Sequence, residues 1–201
     1  MKKKWTLVVV SLVIVMMSAI AVGCGKSVQK EPLSQEEISK LREVYPVNDE
    51  EPPLVEVELI PFEDMIGICD CYAVAEVVSG PDTYDRRISP ETTFTTYEVK
   101  IIDDIFDSIS GDTMVISYNS LFDIGMPAMD VGARFVIGGV FDEKRGELNI
   151  SHDIMFYVTD DGYVFSVSSE ETRDGHTGSS VSELTEYIRT VKTESRAEHA
   201  N

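Results

Sequence analysis

Cys69 and Cys71 flank Asp70, and a Cys-x-Cys pair is the first place in this chain to look for chelation or thiol redox chemistry. Two cysteines are too few to close a structural zinc site without histidine. If both lie in one strand they share a face with Cα atoms about 6.5–7 Å apart, the edge of what a disulfide tolerates. Buried free thiols are therefore the expected state, with a strained disulfide as the rival in an oxidising compartment. The three histidines, His152, His176 and His199, are far apart in sequence. Asp103, Asp104 and Asp107, or Asp160 and Asp161, could bind a cation or do acid–base work only by converging in a cleft. Carboxylates so placed are ordinarily solvated turn residues, and 103, 104 and 107 do not reproduce a calcium-loop register. The chain has no Gly-x-Ser-x-Gly elbow, His-Glu-x-x-His helix or phosphate-binding glycine loop. The sequence thus assigns no catalytic residue, no metal ligand and no cofactor.

Composition narrows the partners. The 201 residues carry 17 Lys and Arg against 36 Asp and Glu, a formal net charge of −19. Nucleic acid is disfavoured, because phosphate binding needs clustered Lys and Arg. Anionic headgroups are disfavoured for the same reason. Basic peptides or divalent cations would be attracted, although the ordinary meaning of such a surface is solubility.

The elements that would position these groups are legible from period and punctuation. Residues 33–53 read as a short helix and linker: Ser34 and Glu37 have capping-box spacing, Leu33 and Ile38 the staple positions, and Leu41 and Tyr45 continue the face until Pro46. Acids and prolines at 48–53 mark a loop or hinge. Residues 54–167 then read as a mainly β domain of six or seven strands. Expected strands lie at 54–59, 71–78, 93–102, 114–118, 134–141, 156–158 and 163–167. The run 71–78 is almost continuously apolar, the signature of a strand covered on both faces. Tyr97, Val99 and Ile101 alternate with Glu98 and Lys100, and Gly138 and Gly139 suggest a bend or bulge. A loop at 142–146 and the Asp161-Gly162 turn are hairpin signals. Residues 168–179 read as a flexible connection. Residues 180–194 form an amphipathic helix, with Ser180 and Glu183 as capping box and Val181, Leu184, Ile188 and Val191 as its apolar face. Such a helix packs on the domain, plugs an open end or binds a partner. Residues 195–201 are a tail.

The amino terminus says where the chain lives. Lys2, Lys3 and Lys4 precede an apolar run at 5–17, and Ala21-Val22-Gly23 leads into Cys24. This layout is that of a secretory signal, and it resembles a bacterial lipoprotein signal. The resemblance implies removal of residues 1–23 by cleavage between Gly23 and Cys24, acylation of Cys24, and a polar tether at 24–32. Ala21 departs from the Leu, Val or Ile common at that position. The alternative is that 5–22 stays as an uncleaved membrane helix, since 18 weakly polar residues just reach spanning length. Both readings place the domain outside the cytoplasm at the cell membrane. Two acyl chains, at about 0.8 kcal/mol per buried methylene, would hold it there. Cleavage would leave 178 residues with 14 basic and 36 acidic side chains, a net charge of −22.

A second resemblance concerns the domain. Asp70 leading into 73–79, Tyr97-Glu98-Val99-Lys100, Asp130-Val131-Gly132 before 135–139, and Leu148-Asn149-Ile150 resemble the netrin-like module of tissue inhibitors of metalloproteinases. The likeness covers roughly residues 66–158 and implies a small OB-type β-barrel. The inhibitory chemistry of that family does not carry over. It needs a free amino-terminal cysteine at the module, whereas Cys24 would be acylated and held off by a tether.

The expected function is a lipid-anchored, non-catalytic module that binds an envelope protein, peptide or glycan through loops such as 81–90 and 120–127. Leu121, Phe122, Met126 and Met129 either plug the barrel or form an adaptable apolar patch. The alternative is a metal-dependent or thiol-based envelope enzyme using the acidic loops or Cys69 and Cys71.

Overall fold

Strand β1 (Cys71–Arg86) shows how the apolar pattern sorts the interior into two clusters. Cys71, Ala75 and Val77 face the first cluster, while Tyr72 and Val74 face the second. Burial on both faces is the environment a continuous apolar run requires. The computed structural model describes residues 30–48, 60–86 and 92–199. The leader, Cys24, most of the tether and the strand expected at 54–59 lie outside the described residues.

The fold is mainly β, a seven-stranded mixed sheet flanked by helices. β1 pairs antiparallel with β2 (Thr92–Asp104), which pairs antiparallel with β3 (Thr113–Asn119). β3 runs parallel to β5 (Glu147–Ile150), β5 pairs antiparallel with β4 (Arg134–Asp142), and β4 returns to β1. These five strands make a partial ring of pairings, and β6 (Phe156–Val158) and β7 (Val164–Ser166) extend the sheet from β4. The first cluster takes side chains from every strand of the ring, among them Tyr97, Val99, Ile116, Phe135, Ile137 and Leu148.

Helix α1 (Gln35–Leu41) begins at the Ser34–Glu37 capping box, with both reciprocal hydrogen bonds formed. Its Ile38 and Leu41, with Leu33 and Tyr45, pack against the first cluster. Two further helices cover the second. Helix α2 (Phe62–Ile68) lies inside the segment read as purely β, and its buried Phe62 and Ile66 are one helical turn apart. Helix α4 (Val181–His199) brings Leu184 and Ile188 to the same cluster, all four side chains having no exposed surface. Each such side chain contributes about 1.5–3 kcal/mol by leaving water. The helix runs to residue 199, so the tail expected from 195 is largely helical, and the helix packs on the sheet's second cluster.

Two other expectations are corrected. Gly138 and Gly139 make no bulge: the β1–β4 register runs unbroken through both. A Cβ on Gly138 would lie 2.4 Å from the Tyr72 ring, and one on Gly139 would lie 2.2 Å from the Asn149 carbonyl oxygen, so both are glycine for want of room. The irregularities fall instead in β1 against β2, between Val74 and Ala75, between Val77 and Ser79 and between Ser79 and Asp82. The segment 168–179, expected as a flexible connection, holds helix α3 (Glu171–Asp174) and covers the outer edge of β7. The Gly178 amide donates to the Val164 carbonyl, and the Val164 amide to the Ser179 carbonyl. Its polar residues satisfy backbone groups. Thr177 Oγ1 accepts from the Ser166 amide, and the fully buried Arg173 donates to the Ile60 carbonyl at 2.8 Å. Arg42, just beyond α1, binds the Ser166 carbonyl and Asp174 and so ties three elements together.

Candidate functional site

The loop 120–129 divides its four apolar residues into two pairs. Leu121 and Phe122 are 42% and 44% exposed, whereas Met129 is 4% exposed within the first cluster and Met126 packs against it. Met126 and Met129 therefore belong to the packed side of the loop, and Leu121 and Phe122 to its exposed side. Local hydrogen bonds shape the tip. The Phe122 and Asp123 amides both donate to the Asn119 carbonyl, the Leu121 amide donates to Asn119 Oδ1, and the Met126 amide donates to the Asp123 carbonyl. Asn48 Nδ2 donates to the Met126 carbonyl from the amino-terminal side. Gly125 and Pro127 are buried, so the loop has a buried base and an exposed apolar tip.

Beneath the loop lies a charged group that the sequence pattern did not disclose. His152, in a 3₁₀ turn (His152–Ile154), places Nδ1 3.8 Å from Asp123 Oδ1 and Nε2 3.8 Å from Asp153 Oδ1. Arg173 approaches Asp153 at 4.0 Å and Glu170 at 3.2 Å. Burial disfavours the imidazolium, but the Asp123 and Asp153 carboxylates outweigh both burial and Arg173, and the His152 pKa is raised above its ordinary 6.5. Asp123 stands alone among apolar neighbours and Arg173 within a polar stretch, so neither carried a sequence signal of meeting His152.

The second expected loop, 81–90, is a strand arm as far as Arg86, with 87–91 outside the described residues. Tyr84 pairs with Phe94 across β1 and β2, and their rings stack at 5.6 Å. Arg86 lies over Phe94 at 4.4 Å and binds Asp142. Arg145 lies over Tyr84 at 3.8 Å, and the Tyr84 hydroxyl donates to Glu147. This ladder clasps the arm to the β4–β5 turn through cation–π and charge-assisted contacts. The signal for it was an aromatic residue on either side of 87–91, Tyr84 and Phe94.

Cys69 and Cys71 are free, buried and separated in their packing. Cys69 ends α2 and belongs to the second cluster, whereas Cys71 opens β1 and belongs to the first. The same-face expectation assumed one strand for both, and the helix end at Cys69 removes it. Burial pushes each thiol up to about 12, so both are protonated at neutral pH and lack the thiolate that redox or nucleophilic chemistry requires. Asp70 between them is occupied in sheet pairing: its amide donates to the Gly139 carbonyl and its carboxylate accepts from the Phe141 amide.

Three of the acidic groups are likewise engaged. Asp103 pairs with Arg189 at 3.1 Å, Asp104 accepts from the Phe106 and Ile109 amides, and Asp160 pairs with Arg134 at 3.0 Å. Among the described residues no three His, Cys, Asp or Glu side chains are grouped to hold a metal ion. His176 sits among aromatic rings, its own ring 4.4 Å from that of Tyr187 and 5.7 Å from that of Phe62. Burial lowers its pKa, against the opposing pull of Glu63. His199 ends α4. Among the described residues no helix is long and apolar enough to cross a membrane; the run 5–22, Gly23 and Cys24 lie outside them. No protein-family model matches the chain, and no curated protein sequence matches it.

Proposed function

We propose that the protein is an exported lipoprotein, anchored through acylated Cys24 at the outer face of the cell membrane, whose domain binds an envelope protein, peptide or glycan without catalysing a reaction. The observation that carries the binding reading is the division of 120–129 into a buried base and an exposed Leu121 and Phe122 tip. An apolar tip held out on a fixed base is how a rigid scaffold presents a contact surface. The anchor rests on the signal layout of residues 1–24. On this reading the domain is an OB-type barrel of the netrin-like kind. The pairing path β1, β2, β3, β5, β4 and back to β1, with β3 and β5 parallel, supports that assignment. The strong negative charge favours ligands that are neutral or basic and disfavours nucleic acid.

The test is saturable binding of cell-envelope components by the full chain in detergent, compared with a Leu121→Ser/Phe122→Ser variant. Both positions are exposed, so the variant keeps the fold, whereas deletion of 120–129 would remove Met129 from the core. The reading expects at least about a tenfold loss of affinity, the scale of removing an interface anchor. Binding that is equal in the two proteins would overturn the assignment to this loop.

A further inference from the structure

The His152 cluster is a feature of the loop that the apolar tip does not explain. Carboxylates sit on both sides of the imidazole, Asp123 from the loop and Asp153 from the 3₁₀ turn, each 3.8 Å from a different ring nitrogen. A neutral imidazole carries one N–H, and its other nitrogen is a lone-pair acceptor. Whichever tautomer forms, one carboxylate then faces a lone pair. Only the imidazolium, with two N–H groups, is complementary to both. The ring is also in mechanical contact with the loop: a Cβ on Gly125 would lie 2.9 Å from His152 Cδ2 and Nε2. The His152 Nδ1 nitrogen is buried without a hydrogen-bond partner.

We propose that His152 is a proton-operated pin: protonated, it fixes the loop 120–129 to the 3₁₀ turn through Asp123 and Asp153, and deprotonation frees the Leu121 and Phe122 tip. This rests on the reading of that loop as the binding surface. The groups facing the ring are Asp123 from the loop, Asp153 from its own turn and Arg173 from α3. Arg173 repels the imidazolium, but Glu170 at 3.2 Å and Asp153 at 4.0 Å draw on its charge. The pin therefore holds below about pH 6.5 and loosens as pH rises through the raised value of the folded state. An anchored surface protein would engage its ligand with a rigid tip in mildly acid surroundings and a mobile one in alkaline surroundings.

The test is native-state hydrogen exchange on the full chain in detergent, at pH 5.5 and pH 8, corrected for intrinsic exchange. The reporters are the Phe122, Asp123 and Met126 amides, whose acceptors all lie within residues 119–123. Protection at these three is expected to fall about fivefold from the lower to the higher pH, the scale of one partly exposed ion pair, while the β1–β4 amides hold steady. In Asp123→Asn and in His152→Gln the step should vanish; using two variants on different elements guards against one that misfolds. Equal protection at both pH values in the parent protein, or a step that survives in both variants, would overturn the pin. Exchange needs no ligand, so a missing step with binding intact removes the pin and leaves the binding surface. A present step with no loop-dependent binding removes that surface and leaves the pin.

Discussion

His152 and His176 sit in one fold and answer protons in opposite senses, because one is surrounded by carboxylates and the other by aromatic rings. His152 is held between Asp123 and Asp153 under a loop with an exposed tip. His176 lies among Phe62, Phe156 and Tyr187, where α2 and α4 meet the sheet. The pKa of the first is raised and that of the second lowered. The difference separates two kinds of region. The helix-covered side is held by buried apolar area, which titration disturbs only by forcing charge into it. The loop has a buried base and a tip held by local hydrogen bonds, and its His152 ion pairs are the contacts that protons can make or break.

The largest expected effect breaks this contrast at its apolar end. Phe62→Ala should destabilise the protein by about 3–5 kcal/mol in urea unfolding, because it removes a fully buried ring. Phe122→Ala, at an exposed loop tip, should change stability by no more than about 0.5 kcal/mol. Comparable losses in the two variants would mean that the loop's tip is packed into the core.

A smaller effect sharpens the contrast through pH. The lowered pKa of His176 means that its contribution is complete above about pH 6.5 and is lost as pH falls below it. The raised pKa of His152 means that its contribution is complete below about pH 6.5 and is lost as pH rises. The two losses fall on opposite sides of about pH 6.5, so together they give the parent protein a stability maximum there. His176→Phe should remove the acid-side loss and leave stability that declines as pH rises, measured by thermal unfolding between pH 5 and pH 8. An unchanged profile would show that the ring is not titrating within its aromatic box.

The regular parts of this arrangement were legible and its meeting points were not. The Ser34–Glu37 capping box, the alternation through Tyr97 and Val99, and the Asp161-Gly162 turn are local patterns, and local interactions form them. Helix α2 was hidden because seven residues hold only two buried positions, too few to show a helical period beside flanking apolar residues. Segment 168–179 read as a solvated connection because its polar side chains look the same whether they face water or cap β7 and bind buried carbonyls. The cysteine pair misled for a geometric reason, since a helix end between neighbouring elements sends Cys69 and Cys71 into different clusters. Within the loop, the apolar residues were visible from the sequence. Their division into tip and base was not, because it depends on which of them reach the first buried cluster.

On the proposed reading both regions work at the outer face of the membrane, and the lipid anchor that holds them there is Cys24. The most direct measurement is the intact mass of the full chain recovered from the membrane fraction of its native host, beside that of Cys24→Ala. The account predicts a mature protein beginning at Cys24, lacking residues 1–23 and heavier by its acyl chains, with Cys24→Ala left as an unprocessed precursor or released to the medium. An unmodified chain that still carries residues 1–23, and whose size and membrane retention are unaltered in Cys24→Ala, would contradict the lipid anchor.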